Sequence, residues 1–187
     1  MKYTDGLETA RLITRFVVPE DAALWTEFFA DPVNCTFILN PSMLSNEERA
    51  EEWVGYVLKR YAENRLGMQA LIHKETGELI GMCGLMIQEV SGNSETEVGY
   101  HLLRRHWGKG YASEAAQKFR DYGFENNIAD SIVSIIHPLN LPSKSVAMRN
   151  GMTLSEKGGM WRGLEVDVFR ITRCEWEDLS PRASLLP

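Results

Sequence analysis

From Arg104 to Ser113 the chain reads Arg-Arg-His-Trp-Gly-Lys-Gly-Tyr-Ala-Ser, with basic side chains, two closely spaced glycines and then small residues opening an alanine-rich stretch. The chemistry this composition fits is the holding of phosphate. The first amides of a helix lack intrahelical acceptors, and the helix dipole is positive at that end. Glycines let an anion come close to the backbone, and Arg or Lys adds charge. Two familiar nucleotide-binding patterns are absent. No Gly-x-x-x-x-Gly-Lys-Ser/Thr occurs, and no Gly-x-Gly-x-x-Gly opens the helix.

The elements around this turn are legible. Glu97 to Leu103 reads as the strand before it, and the helix after it aligns Ala112, Ala115, Ala116, Phe119 and Gly123 on one face. Upstream, Leu12 to Val18 suggests a first strand, and Pro19-Glu20-Asp21 opens a short helix that Asp31-Pro32 ends. Ser45-Asn46-Glu47-Glu48 is a capping box before an amphipathic helix running to about Asn64. Met68 to His73 and Leu79 to Glu89 are strands joined at Glu75-Thr76-Gly77, and Ser91-Gly92-Asn93-Ser94 turns into the Glu97 strand. Ser131 to Ile136 is a strand buried on both faces. Asn140 or Leu141 caps a short helix that stops at Asn150-Gly151. A hairpin of Met152 to Glu156 and Leu164 to Arg173 follows, with Lys157 to Gly163 as its loop. The expected order is β-α-α-β-β-β-α-β-α-β-β: a mixed α/β domain over 1–179, with a mostly antiparallel twisted sheet and helices on both faces. Parallel pairing is expected only in the unit from Glu97 to Ile136. The segment 180–187 reads as a mobile tail.

With 187 residues, 44% hydrophobic and 25% charged, the chain can bury a full core. A net charge of -6 weighs against a nucleic-acid partner. Cys35, Cys83 and Cys174 are odd in number and far apart, so neither a disulfide framework nor a zinc site is indicated. His73, His106 and His137 lack metal-ligand spacing, and no metal is proposed. No stretch has the length of a signal peptide or a membrane span, so a cytoplasmic protein without membrane contact is expected.

The element order, the turn Trp107-Gly108-Lys109-Gly110-Tyr111-Ala112-Ser113-Glu114, and Asn140-x-x-Ser143 followed by Val146 to Gly151 resemble the GNAT N-acetyltransferase superfamily. Within it, the chain is most similar to the bacterial ribosomal-protein N-terminal (alanine or serine) acetyltransferases. The resemblance includes the opening Leu7 to Leu12 and the ending Phe169 to Thr172 with Glu175-Trp176. The superfamily turn, Arg/Gln-x-x-Gly-x-Gly/Ala, fits in two registers. One begins at Arg105. The favoured one begins at Trp107 and puts Gly110 and Ala112 where the helix starts.

The resemblance implies an acyl-CoA N-acyltransferase fold and acetyl-CoA as donor. Backbone amides across Trp107, Gly108, Lys109, Gly110, Tyr111, Ala112 and Ser113 would hold its diphosphate. Main-chain groups of Tyr100 and Leu102 would pair with the pantetheine arm. Arg104, Arg105 and Lys109 either meet phosphates or are solvated surface charge. The transfer needs a neutral amine, a proton for the departing thiolate and a donor for the thioester carbonyl. Glu97 is the candidate base, with Glu95 and His101 as fallbacks; its alternative is an ion pair or a solvent-facing carboxylate. The tyrosine that many members carry on the last helix maps to Ala147. A hydroxyl at Ser143 is the candidate acid, or else a helix cap. Asn140 bonds the pantetheine or caps the same helix. Glu156 is a weak counterpart of a second glutamate in related hairpins. Phe37 and Trp161 would border the acceptor, and Trp53 and Phe28 are ordinary packing. The acceptor is a protein N-terminal amine or a small-molecule amine, which attacks the thioester directly in a ternary complex. A non-catalytic acyl-CoA sensor and a nucleotide-binding regulatory domain are the alternatives. Exposed sheet edges leave room for a homodimer.

Overall fold

The computed structural model describes residues 3–38 and 44–179, so the expected tail lies outside the described residues. One seven-stranded sheet runs in the order β1-β2-β3-β4-β5-β7-β6. Its strands are β1 (Leu12–Arg15), β2 (Met68–His73), β3 (Leu79–Val90), β4 (Asn93–Leu102), β5 (Ser131–Ile136), β6 (Thr153–Trp161) and β7 (Leu164–Thr172). Every neighbouring pair is antiparallel except β4 and β5. The helices are α1 (Asp21–Ala30), α2 (Pro32–Cys35), α3 (Asn46–Ala62), α4 (Tyr111–Glu125), α5 (Leu141–Arg149) and α6 (Arg173–Leu179). Among the described residues no helix is long and apolar enough to cross a membrane.

Local chemistry explains the boundaries. Ser45 accepts from the Glu48 amide at 3.2 Å and its own amide donates to the Glu48 carboxylate at 2.8 Å. A cap of this kind is worth about 1 kcal/mol. The β6–β7 connection is only Arg162-Gly163, both at positive φ (50° and 81°), as a two-residue hairpin requires. The loop expected over Lys157 to Gly163 is therefore mostly strand. Its glycine pair marks a register shift between Glu156 and Gly159 rather than a turn. Two short helices escape the sequence reading. In α2, Asp31 caps the Val33 amide at 2.9 Å with proline in the first turn. In α6, Thr172 and Glu175 exchange capping bonds, the Thr172 amide donating at 2.7 Å.

The sheet is covered on both faces. Leu85, Val98, Phe119, Phe124, Ile132 and Ile171 form the core on the α4 face. Trp25, Phe28, Val54, Met82 and Met86 form the core under α1 and α3. Burying each such side chain contributes about 1.5–3 kcal/mol. Helix α4 sits close, as its small residues imply: a Cβ on Gly123 would lie 2.8 Å from Ile132 Cδ1. Strand alternation then divides β4. Val98, Tyr100 and Leu102 point to the α4 face, and Glu97, Gly99 and His101 to the α1–α3 face.

Candidate active site

Strands β4 and β5 touch in one register pair, Glu97 with Val133. Beyond it a side chain replaces a ladder bond: the Ser134 hydroxyl donates to the Val98 carbonyl at 3.1 Å. The Leu103 amide bonds Ile80 at 3.0 Å on the β3 side. By alternation, the main-chain groups of Val98, Tyr100 and Leu102 face the opening between β4 and β5. The Leu102 carbonyl there already accepts the Trp107 indole N–H at 2.8 Å. That leaves Tyr100 as the better placed of the two expected backbone contacts.

At the end of this opening stands the glycine turn. A 3-10 turn over Arg104–His106 leads to Gly108 and Gly110, at φ 72° and 83°. Gly110 caps α4, whose first residue is Tyr111, as the Trp107 register requires. Among the described residues, the amides from Gly108 to Ser113 donate to no protein acceptor. Six unpartnered donors in the turn and at the helix start are what a diphosphate needs, so the residues present fit coenzyme A. The Arg11 guanidinium reaches this place from the segment before β1. It donates to the Lys109 carbonyl at 2.9 Å and to Glu114 at 2.7 Å, and it lies 4.4 Å from the Tyr111 ring centre. Lys109 is exposed beside it. Arg104 and Arg105 turn the other way, into ion pairs. Arg104 meets Asp31 at 3.6 Å, and Arg105 meets Glu27 and Glu78, the latter at 2.6 Å. A phosphate at either would have to displace a carboxylate.

The three base candidates separate on burial and partners. Glu97 is 9% exposed. Burial pushes its pKa up to about 7, against smaller opposing effects from the Gln88 amide at 3.0 Å, the Ile135 amide, Arg162 and Arg60. Glu95 is closed in a fork with Arg170, at 2.9 and 2.7 Å. His101 packs edge-on against Trp53 and Phe28, with centroids at 4.9 and 5.9 Å, and burial pushes its pKa down to about 4. Glu156 accepts from Ser91 at 2.6 Å, tied to the β3–β4 hairpin.

Across the sheet, the Tyr100 hydroxyl lies 3.0 Å from both the carbonyl and the Oγ of Ser143. Asn140 caps α5, its Oδ1 accepting from the Ser143 amide at 3.1 Å. Ala147 is fully buried in the core. The Phe37 ring, expected to border the acceptor, stands 5.2 Å from His137 at the end of β5. Trp161 ends β6, and the Arg162 guanidinium lies 4.7 Å from its ring centre. A cavity of about 300 Å³ is lined by His137, Pro138, Leu164 and Glu165. A second, of about 380 Å³, is lined by Glu27, Asp31, Asn34, Arg104 and Arg105, away from Glu97.

The structure thus brings Tyr100 and Ser143 together on the α4 side of the opening, near the glycine turn, places Glu97 on the other face of β4, and leaves Arg104 and Arg105 in ion pairs away from it. Arg11, Gln88 and Ser134 are additions. Arg11 lies in the Leu7 to Leu12 opening motif, which was the one sequence signal for it. Gln88 and Ser134 carry no local signal, because strand pairing alone brings them in.

Residues 11–153 match the sequence profile described as an acetyltransferase (GNAT) domain. An uncharacterized N-acetyltransferase, p20, of Bacillus licheniformis is 35% identical over 155 residues, 82% of this chain and 84% of that protein. The crystal structure of an acetyltransferase from Agrobacterium tumefaciens str. C58 superposes with a TM-score of 0.76 at 30% identity, covering 90% of this chain and 95% of that one. RimL, a ribosomal L7/L12 alpha-N-protein acetyltransferase solved with coenzyme A, shares the fold at a TM-score of 0.70 and 16% identity, over 90% of this chain and 98% of its own. The profile match spans most of the sequence and includes the glycine turn and the split strands, and on that ground the chain belongs to the GNAT acetyltransferase family, an acetyl-CoA-dependent group of acyltransferases.

Proposed function

We propose that this protein acetylates a primary amine by direct attack within a ternary complex, with Glu97 as base and Ser143 as the hydrogen-bond donor at the sulfur. Acetyl-CoA supplies the activated acetyl group. The amides from Gly108 to Ser113 hold its diphosphate with Arg11 and Lys109 alongside, and the Tyr100 backbone pairs with the pantetheine arm. Asn140 fixes the start of α5 so that Ser143 faces the same opening.

The observation that carries this reading is the placement of Glu97. Its carboxylate sits at the one bridge between β4 and β5, buried, with a pKa of about 7. A carboxylate in that range takes a proton from an ammonium far better than an ordinary glutamate does. Glu95 is occupied by Arg170, and His101 is too weak a base. Direct attack fits because no serine or cysteine in the opening is paired with an activating base.

For the acceptor, the likeness to RimL and the resemblance in the motifs favour a protein N-terminal amine, as in ribosomal-protein acetyltransferases. The mouth between His137 and Leu164, with Glu165 on its rim, suits a cationic amine. The three cysteines carry no disulfide, which suits the cytoplasm. The test is thiol release from acetyl-CoA with peptide N-termini, amino acids, polyamines and aminoglycosides. Release with peptides above all others supports the ribosomal-type reading. Release only with small amines overturns that part, and release that Glu97→Gln leaves unchanged overturns the base.

A further inference from the structure

Arg162 stands at the tip of the β6–β7 hairpin, in a two-residue turn with Trp161 and Leu164 paired on either side. Among the described residues it makes no hydrogen bond and no ion pair, whereas every other arginine there has a polar partner. What holds the guanidinium is the Trp161 ring, with its centre 4.7 Å away. Trp161 is itself fixed, packed on Val90, Val133, Val166 and Val168. Val133 is the register partner of Glu97, so the two side chains point to the same face of the sheet. The hairpin tip is thereby carried on the Glu97 face. The charge of Arg162 reaches the carboxylate: burial raises the Glu97 pKa, and Arg162 is among the groups that oppose it. The Trp161 Nε1–H is also buried without an acceptor among the described residues. Leu164, across from Trp161, lines the cavity of about 300 Å³ that Glu165 edges.

A guanidinium resting on an aromatic ring keeps its N–H edge free, and that planar fork matches a carboxylate. The same face of the sheet thus offers a carboxylate that takes a proton from an ammonium and an arginine that lacks an anion. We infer that Arg162 is a specificity-determining residue for acetyl transfer, pairing with a carboxylate of the acceptor while the acceptor's amine faces Glu97. The acceptor class is then an amine whose own molecule carries a carboxylate. A free amino acid supplies it at the α-carbon, and a peptide N-terminus supplies it on an acidic side chain close by. Polyamines and aminoglycosides have none. This rests on the reading of Glu97 as the base beside which the amine stands. Arg162 takes no proton and changes no bond, so its effect falls on acceptor binding.

The test uses matched acceptors that differ in the anion. One pair is phenylalanine and phenylalaninamide; the other is the C-terminally amidated dipeptides Ser-Asp and Ser-Asn. Thiol release from acetyl-CoA gives kcat and KM for each with wild type, Arg162→Asn and Arg162→Asp. Asparagine and aspartate tolerate the left-handed backbone at this position (φ 50°), so both variants keep the turn. Taking the ratio of kcat/KM within a pair, and comparing it between variants, cancels differences in amine basicity. The ratio of carboxylate to amide member is expected to fall about tenfold in Arg162→Asn, through KM, and further in Arg162→Asp, with the amide member of the Arg162→Asn pair within about twofold of wild type. A fall in the first pair assigns the α-carboxylate, and a fall in the second assigns the side chain. Ratios unchanged in both pairs overturn the role of Arg162 and leave acetyl transfer standing. Equal losses on both members of each pair mark a merely structural hairpin and overturn it too, as does release with polyamines or aminoglycosides alone. No release with any amine overturns the reading beneath it.

Discussion

Arg11 Nε donates to Glu114 Oε2 at 2.7 Å, and its Nη2 lies 2.6 Å from the same oxygen, joining residues 103 positions apart in the chain. The other Glu114 oxygen accepts the Arg11 amide at 2.8 Å. The segment before β1 is thereby fastened to the first turn of α4, and Arg11 also holds the Lys109 carbonyl. The shape of the glycine turn depends on an ion pair made with residues far from it in sequence. Replacing Glu114 by Gln keeps one acceptor oxygen but frees the guanidinium. Acetyl-CoA affinity is expected to fall about tenfold, or about 1.4 kcal/mol. Calorimetry checks this, and an unchanged affinity would mean that the clamp serves only β1.

With Glu97 as the proposed base, its carboxylate form takes the proton, so kcat/KM should rise through about pH 7 and level off above it. His101, held near 4, stays neutral and adds no limb there. Glu97→Gln should abolish the limb and lower kcat about 100-fold. Stability carries the opposite sign. Between roughly pH 4.3 and 7 the folded state holds a proton that the unfolded state has lost, so stability falls as pH rises across that window. Urea titrations from pH 4 to 8 should show this slope in wild type and not in Glu97→Gln.

Gly110 caps α4 at φ 83°, and a Cβ there would lie 3.4 Å from Arg11 Nη2. A valine at this position is expected to cost about 1–2 kcal/mol of backbone strain. It would also turn the free amides and lower coenzyme A affinity more than tenfold. Calorimetry beside a thermal melt separates the two losses. Retained affinity would exclude this turn from the site.

Asp167 on β7 is buried, accepts from Lys144 Nζ at 2.6 Å and receives the Gly158 amide at 3.3 Å. The Lys144 contact holds its pKa below the usual carboxylate range. Its contribution is therefore full above the unfolded value of roughly 3.9 and fades as pH drops through the lower folded one. Asp167→Asn is expected to destabilise by about 2 kcal/mol at pH 7 and to approach wild type near pH 3. Denaturant midpoints at the two pH values decide it.

What the sequence made legible was mostly local. The Ser45 box, the Glu75 to Gly77 turn and the Asn150-Gly151 stop are written in adjacent residues, and the structure has them. The same logic misfired at Gly158-Gly159, where two glycines look like a turn but accommodate a bulge in β6. It also passed over Thr172-x-x-Glu175, a capping signal lodged at the end of a strand. Of the candidate site, the glycine turn was legible because one segment makes it. Glu97 already ranked above Glu95 there, but Arg170 and Gln88, the partners that separate the two carboxylates, come from other strands and carry no local signal. The Tyr100 hydroxyl was equally hidden, since tertiary packing alone brings β4 beside α5.

The meeting of β4 and β5 at a single residue pair makes the sheet two leaves on a narrow spine. Four strands form one leaf and three the other. An extended ligand slipped between them would act as an eighth strand, and cohesion across the spine would then come partly from the substrate. The protein should breathe along this line when empty and tighten when loaded, with slowed amide exchange at Tyr100 and neighbouring positions on β5 reporting occupancy directly.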